Sequence, residues 1–158
     1  MDIIKYSNVY KDKIINFLID ITKNEFNLNW QDYLKNEDWD IYNNPNNQML
    51  ILIDDEGEII GTCALCDLGD KTGKLNSFYI KKNFRRKGYG KLLYIWMEVF
   101  INLNFEEVIL CSNEVFKSLP FYEKLGFTPY RYETNGEIWC KKDYKKDITQ
   151  INWKTSKY

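Results

Sequence analysis

Arg85-Arg86-Lys87-Gly88-Tyr89-Gly90 joins a strand-like run to a helix-like run, and this junction decides the fold. The preceding residues, 75–80, read LNSFYI and are typical of a strand, while residues 91–100 read KLLYIWMEVF and are typical of a helix. A glycine-rich turn that leads into a helix presents unpaired backbone N–H groups and the positive end of the helix dipole. The junction therefore predicts a binding site for an anion such as a phosphate or pyrophosphate.

The side chains of the junction support the same prediction. Arg85, Arg86 and Lys87 add positive charge and donors that fit a phosphate. Gly88 and Gly90 let the backbone approach a ligand and adopt a positive φ. The hexapeptide is not a Walker loop, because no Gly-Lys-Ser/Thr follows it, and it lacks the third glycine of a dinucleotide fingerprint. A solvated basic turn is the alternative interpretation.

A second motif lies further along the chain. Asn113-Glu114 is followed by Phe121-Tyr122-Glu123-Lys124-Leu125-Gly126-Phe127. Together the two stretches resemble the GNAT superfamily of N-acetyltransferases. Its pattern Arg/Gln-x-x-Gly-x-Gly/Ala is matched here by Arg85, Gly88 and Gly90. The later motif of that family has an asparagine after a strand and then a Phe-Tyr-Glu-Lys-x-Gly-Phe helix end, so Asn113 and Tyr122 fall at the family's places.

The resemblance implies an enzyme that moves the acetyl group of acetyl-CoA directly to a primary amine of a small molecule or peptide, without a metal. Tyr122 would protonate the departing thiolate, and the backbone of the strand would hold the pantetheine arm and polarise the acetyl carbonyl. The cofactor-binding residues that the resemblance implies are Phe78, Tyr79, Ile80, Arg85, Arg86, Lys87, Gly88, Tyr89, Gly90, Lys91 and Asn113.

Some of these roles have a plain structural alternative. Tyr122 is one of twelve tyrosines and would then only pack on the sheet, and Asn113 would only end its strand in a turn. The general base stays open. Many relatives carry a glutamate near the start of the central strand, where this chain has Lys74 or Leu75. Glu25, Asp67 or an ordered water are the remaining candidates.

The pattern of the whole chain predicts one α/β (α+β) domain over residues 1–158, with a mixed, mostly antiparallel sheet flanked by helices. A C-terminal tail at 145–158 would extend it. The helix after the glycine loop is apolar on nearly every side, so we expect it to be packed deeply against the sheet. Helices are predicted at 10–24, 26–39 and 115–125, the last starting late because of Pro120. Strands are predicted at 3–6, 49–53, 58–67, 74–81, 107–111, 127–134 and 137–144.

Composition excludes several classes of protein. A net charge of −1 argues against a nucleic-acid-binding protein, the alternative in which Arg85, Arg86 and the lysine-rich tail would contact the nucleic acid. No apolar run approaches ~20 residues, so we expect no membrane segment. The N-terminus lacks a basic-then-apolar signal pattern, which favours a cytoplasmic protein.

The chain has no histidine, which excludes Ser-His-Asp and Cys-His mechanisms. Cys63 and Cys66 form a CxxC on a strand, where they would face opposite ways and not share a metal.

The acceptor and the partners are less defined. Residues 20–58 hold ten acids against two lysines, which favours a cationic acceptor, or else an ordinary solvated face. A non-catalytic acyl-CoA-binding or regulatory domain is the alternative function, and it would have no use for Tyr122. The tail aromatics Trp153 and Tyr158 would suit a contact in a homodimer.

Overall fold

A single seven-stranded sheet lies at the centre of the computed structural model, which describes residues 1–144. The strands are β1 Asp2–Lys5, β2 Gln48–Ile53, β3 Ile59–Gly69, β4 Thr72–Ile80, β5 Glu107–Asn113, β6 Thr128–Tyr132 and β7 Glu137–Asp143. Their order across the sheet is β1-β2-β3-β4-β5-β7-β6. Only the β4–β5 pair is parallel, so the predicted mixed, mostly antiparallel sheet is confirmed.

Four α-helices flank this sheet in the described part of the chain. They are α1 Lys11–Ile19, α2 Gln31–Asn36, α3 Tyr89–Asn104 and α4 Leu119–Lys124. A π-helical segment, Asp20–Glu25, prolongs α1. Short 3₁₀ turns are formed by Asn8–Tyr10, Trp39–Asn43, Lys82–Phe84 and Glu114–Phe116. None of the helices within residues 1–144 combines the length and apolarity that a membrane crossing demands.

Two hydrophobic cores form, one on each face of the sheet. On one face α3 and α4 cover β2 to β5 and β7, with Leu93, Met97 and Ile101 fully buried. On the other face α1, α2 and the turn at Trp39–Asn43 cover β2 and β3, around the fully buried Ile14. Each helix thus buries one apolar side against the sheet, which is the usual source of helix stability in proteins of this size.

The prediction that α3 is packed deeply on nearly every side is wrong for its outer face. Five large apolar side chains there are exposed: Leu92, Ile95, Trp96, Val99 and Leu103. The reason is geometric, because a helix that lies on one side of a sheet can turn only part of its circumference toward it. Apolar composition alone therefore overestimated the burial of this helix.

The second predicted helix, at 26–39, is much shorter than expected. Asn27 has a φ of +54°, which the helical backbone does not allow, and α2 begins only at Gln31. The helix predicted at 115–125 begins late, as expected, with Pro120 in its first turn. Its end is also as expected, since Gly126 follows with a φ of +99°. The predicted C-terminal tail at 145–158, including Trp153 and Tyr158, lies outside the described residues.

Candidate active site

The central feature of the site is an opening between β4 and β5. The two strands pair only from Thr72–Leu75 to Glu107–Leu110, although β4 continues to Ile80 and β5 to Asn113. Beyond this short ladder the facing edges of the two strands have no partner strand in the described part of the chain. Unpaired strand edges offer rows of N–H and C=O groups, so this opening can accept an extended ligand with amide groups.

The glycine junction lies directly beyond the end of β4. Gly88 caps α3 with a φ of +86°, and an added Cβ there would meet no atom within 4 Å. The first hydrogen bond of the helix runs from the N–H of Leu92 to the carbonyl of Gly88, at 3.0 Å. The N–H groups of Gly88, Tyr89 and Gly90 therefore have no acceptor within residues 1–144. An open backbone with free donors at a helix N-terminus fits a pyrophosphate.

Gly90 lies where the elements around the opening meet. A Cβ at Gly90 would lie 3.1 Å from Cζ of Phe121 on α4 and 3.7 Å from Cγ1 of Ile80 on β4. The ring of Phe121 in turn makes an edge contact with Phe78, with the centroids 5.4 Å apart. An added Cβ would be in ordinary contact with Ile80 but would have to displace the Phe121 ring by a few tenths of an ångström, so the glycine allows α3 and α4 to approach closely at the loop.

Arg85 is turned into the protein. Its guanidinium forms a two-pronged ion pair with the carboxylate of Glu25, and its Nε donates to the carbonyl of Ile80 at 2.7 Å. The Arg85 and Glu25 side chains are 33% and 19% exposed, so the pair is only partly accessible to water. Nε and both terminal nitrogens of the planar guanidinium therefore each have an acceptor. The pair ties the π-helical segment after α1 to the glycine loop.

We expect Arg85 and Glu25 to stabilise the protein as a coupled pair. A double-mutant cycle with Arg85→Lys and Glu25→Gln, followed by chemical denaturation, should give a coupling energy of about 1–3 kcal/mol, because the residues are in direct contact. Lysine cannot reproduce the fork, so Arg85→Lys alone should carry most of the loss. The control cycle uses the salt bridge between Arg131 and Glu133, in which more than a third of each side chain is exposed. Its coupling energy should be near zero. Equal coupling in the two cycles would contradict the assigned role.

The other basic residues of the junction point outward. Arg86, Lys87 and Lys91 are exposed, and no salt bridge to them forms within residues 1–144. Arg86 has a φ of +60°, which is uncommon outside glycine and asparagine. Lys87 lies with its Nζ 5.7 Å from the ring of Phe84. These three cations are therefore free to meet an anionic ligand.

Tyr122 lies on α4, packed among aromatic rings. Its ring centroid is 6.1 Å from that of Phe78 and 6.1 Å from that of Phe127. Burial raises the pKa of the Tyr122 phenol above its usual value near 10, so the hydroxyl is protonated at neutral pH. Within residues 1–144 the hydroxyl has no hydrogen-bond partner. A protonated, unpartnered phenol is what a proton donor to a ligand requires.

The side chain of Asn113 caps a turn at the end of β5, which is one of the two roles that the sequence predicts for it. Its side-chain oxygen accepts a hydrogen bond from the N–H of Val115 at 3.1 Å, so it caps the 3₁₀ turn after β5. Its amide nitrogen is not used in this contact. On the α3–α4 side of the opening, Phe121 contacts Phe78 and Tyr122 and lies against Gly90, whereas Asn113 lies at the end of β5.

The end of β4 is not a regular strand. Asn76 pairs with Ala64 and Tyr79 pairs with Thr62. Between these two pairs β4 has two residues where β3 has one, which is a β-bulge in β4. Ser77 in this bulge has a φ of +47°. The extra residue places Phe78 in the same core as Leu75 although the two are three positions apart. No local pattern of residues predicts this bulge, because no glycine marks it.

An aromatic cluster that the sequence did not single out covers the opening on the α1 side. The ring of Phe116, in the turn after β5, lies 4.7 Å from Phe26, 5.9 Å from Trp30 and 5.7 Å from Tyr79, measured between centroids. These residues come from three separate parts of the chain, so no local pattern could have joined them. The cluster provides an apolar wall next to the pair of Arg85 and Glu25.

Neither acidic candidate for the general base stands free at the opening. Glu25 is held by Arg85. Asp67 is near the β3–β4 turn, where its carboxylate accepts from the N–H of Gly69 at 2.8 Å, at the opposite end of β4 from Ile80. Asp67 is therefore too remote to serve, and an ordered water remains the candidate that this geometry does not exclude.

The four cysteines are free thiols. Cys63 and Cys66 lie on opposite faces of β3, as predicted, with Cys63 in the core under α3 and Cys66 beside Tyr42. Burial raises the pKa of Cys63 and Cys140, and raises that of Cys111 to about 11. All three are thus poor nucleophiles at neutral pH. In the part of the chain that the structure describes, no group of His, Cys, Asp or Glu side chains could hold a metal ion.

Comparison with known proteins agrees with this geometry. Residues 15–127 match the model of the acetyltransferase (GNAT) family. A GNAT-family acetyltransferase from Staphylococcus aureus Mu50 superposes with a TM-score of 0.80 at 25% identity, over 91% of this chain and 99% of that one. An acetyltransferase from Streptococcus agalactiae 2603 gives a TM-score of 0.75 at 22% identity, over 90% and 97% of the chains. A search of curated proteins found no match.

A third structure adds a ligand to the comparison. An aminoglycoside 6'-N-acetyltransferase solved with coenzyme A superposes with a TM-score of 0.70 at 17% identity, over 92% of this chain and 98% of that one. The likeness concerns the fold. The matched segment 15–127 contains the opening between β4 and β5, the glycine junction and Tyr122. The chain therefore belongs to the GNAT family of acetyltransferases.

Proposed function

We propose that this protein moves the acetyl group of acetyl-CoA directly to a primary amine of a small molecule or peptide. One observation carries the proposal. Free backbone donors at the glycine junction, an unpaired strand edge and a protonated tyrosine surround the same opening. These are the three kinds of group that a pyrophosphate, a pantetheine arm and a departing thiolate would need.

Each part has a defined task in this proposal. The N–H groups at Gly88 to Gly90 would hold the pyrophosphate, with Arg86, Lys87 and Lys91 adding charge. Acetyl-CoA supplies the activated thioester. The N–H groups at the end of β4 would donate hydrogen bonds to the acyl oxygen and stabilise the negative charge that develops on it. Tyr122 would protonate the departing thiolate. Burial raises the pKa of its phenol above ~10, and the same desolvation of the opening would raise the pKa of the leaving thiol above its ordinary ~8.5.

Direct transfer is favoured over a covalent acyl-cysteine. The pKa of Cys111 is raised to about 11 by burial and by Glu137, so its thiolate is scarce at neutral pH. The chain has no histidine to activate a thiol. Orientation of two bound substrates can supply ~7–11 kcal/mol of the barrier without a covalent intermediate.

We propose that the acceptor is a cation, although the structure leaves fewer acids to bind it than the sequence suggested. Several of the ten acids in residues 20–58 have local tasks in the structure. Glu25 pairs with Arg85, Asp38 caps a turn, Asp54 accepts from two N–H groups of the β2–β3 turn, and Asp55 meets the N-terminus. Asp32, exposed in the first turn of α2, carries no such contact and remains available to a cation.

Thiol release from acetyl-CoA tests the function. A panel should contain a polyamine, an aminoglycoside, a lysine peptide and a neutral amine. The proposal expects turnover with at least one amine and a fall in kcat/KM with added salt for the polycations. Asp32→Asn should weaken the polycation and spare the neutral amine, with Asp67→Asn at the remote turn as control. If neutral or acidic amines are the better substrates, the cationic acceptor is wrong.

The same panel separates the alternative function. A non-catalytic acyl-CoA-binding domain would bind acetyl-CoA in a calorimetric titration yet release no thiol with any amine. Under that outcome Tyr122 would be a packing residue. The unpartnered hydroxyl of Tyr122 favours the enzyme, because a purely structural phenol with a raised pKa gains by finding a hydrogen-bond partner.

A further inference from the structure

Thr62 on β3 is hydrogen-bonded to the bulge at the end of β4. Its side chain is fully buried, and its hydroxyl donates to the carbonyl of Ser77 at 2.6 Å. Thr22, Thr62 and Ser112 are the buried polar side chains in the described part of the chain. A buried hydroxyl is retained when its hydrogen bond offsets the cost of desolvation. The acceptor of this bond is the bulge of β4 at the edge of the opening.

The bond fixes the direction of one peptide group. The carbonyl of Ser77 and the N–H of Phe78 belong to the same peptide unit, which is planar and trans. In such a unit the C=O and the N–H point in opposite directions. Since Thr62 lies on β3 and holds the carbonyl of Ser77, the N–H of Phe78 points away from β3. That direction is toward the opening, because β5 is the neighbour on the other side of β4.

The next part of β4 is held in a similar way. The N–H of Lys81 donates to the carbonyl of Ile60 on β3 at 2.8 Å, so by alternation the peptide groups of Ile80 face away from β3. The carbonyl of Ile80 is held by Nε of Arg85. The N–H groups of Phe78 and Ile80 therefore share the edge that borders the opening. Only the Phe78 N–H lies in a bulge without a ladder to fix it.

We propose that Thr62 is a positioning residue for acyl transfer. Its hydroxyl holds the peptide between Ser77 and Phe78 in the orientation that aims the Phe78 N–H at the acyl oxygen. Donation to the carbonyl of that peptide also polarises its N–H, because linked hydrogen bonds strengthen one another. The proposal rests on the proposed function, in which this edge of β4 receives the acyl group. Ser77, with its φ of +47°, has a strained backbone that a lost bond would release.

The test compares Thr62→Val, which loses only the hydroxyl, with Thr62→Ser, which keeps it. The probe is the carba analogue of acetyl-CoA, a ketone in which a methylene replaces the thioester sulfur and keeps the carbonyl in place, with ¹³C in that carbonyl. Bound to the wild type, its carbonyl resonance should move downfield, because N–H donors polarise it. Thr62→Val should lose most of that movement and lower kcat by ~10-fold or more, where loss of a whole oxyanion donor costs ~10²–10³-fold. Thr62→Ser should restore both, and the affinity for free CoA should be unchanged in both variants.

A control separates positioning from stability. Thr22→Val also removes a buried hydroxyl that donates to a backbone carbonyl, that of Leu18 at 2.8 Å. It should lower the Tm by an amount similar to that of Thr62→Val. The carbonyl resonance of the bound analogue should stay at its wild-type position. If Thr62→Val does not fold, Thr62→Cys replaces it, because a thiol donates only weakly.

The outcomes distinguish two failures. A wild-type protein that binds the carba analogue without any downfield movement, and releases no thiol from acetyl-CoA with any amine, overturns the proposed function together with the role of Thr62. A downfield movement that persists in Thr62→Val, or that Thr62→Ser loses equally, overturns the role of Thr62 alone and leaves the proposed function standing.

Discussion

Gly88→Val should abolish tight binding of acetyl-CoA in a protein that still folds. The φ of Gly88 is +86°, a conformation that a β-branched residue adopts only under strain, and in the proposed function the backbone there lies against the pyrophosphate. The space around Gly88 is empty within 4 Å, so the substitution makes no clash inside the protein itself. We expect the Kd to rise about 10²-fold or more, which corresponds to about 2.8 kcal/mol. Calorimetric titration measures it directly.

A matched glycine provides the control for backbone strain. Gly69 has a φ of +89°, and an added Cβ there also meets no atom within 4 Å. It lies in the β3–β4 turn, at the other end of β4 from the glycine junction. Gly69→Val should lower the Tm by a similar amount and bind acetyl-CoA normally. Normal binding by folded Gly88→Val, or equal loss in both variants, would show that the junction does not hold the pyrophosphate.

Tyr122→Phe should separate binding from chemistry. The phenyl ring preserves the contacts with Phe78 and Phe127, and the hydroxyl that is removed has no partner within residues 1–144. Both the Tm and the Kd for acetyl-CoA should therefore change little. Turnover should fall by ~10²-fold or more, because the proposed function loses its proton donor to the leaving thiolate. Steady-state thiol release with the best amine of the panel measures this.

Tyr94→Phe serves as the control, because it removes a hydroxyl that has a hydrogen-bond partner. The Tyr94 hydroxyl is hydrogen-bonded to that of Tyr144, which in turn donates to Glu98 at 2.7 Å. Its removal should lower the Tm and leave turnover near that of the wild type. Undiminished turnover in Tyr122→Phe would make Tyr122 a packing residue and would require another acid, such as water.

The sequence predicted the order of elements well because its signals were local. The junction 85–90 combines glycines with a following apolar helix, and the β2–β3 hairpin is marked by an acidic turn with Gly57. Such patterns reflect backbone sterics and periodicity within a few residues. The sheet and its mostly antiparallel pairing follow from them and from the family resemblance.

The parts that sequence did not predict depend on contacts between distant segments. The bulge at Ser77 is fixed by Thr62 on another strand, and Arg85 is held by Glu25 from the segment after α1. A basic residue beside a glycine turn could face a ligand or a buried carboxylate, and only the packing of the helix decides between them. The outer face of α3 is exposed for a similar reason, since its surroundings and not its composition set its burial.

The short ladder between β4 and β5 has a consequence for how the molecule melts. It divides the sheet into two blocks, β1–β4 and β5–β7–β6, whose strands pair over only four pairs of residues, next to the bonds from Glu106 and Glu107 to Lys71 and above the core that α3 covers. Blocks joined so narrowly can open against each other with a smaller free energy than global unfolding requires. Any molecule seated between them acts as a bridge, and its binding free energy adds to their cohesion. Amide hydrogen exchange along 76–80 and 111–113 should therefore slow far more than elsewhere when CoA is added, as the two halves of the sheet begin to unfold as one.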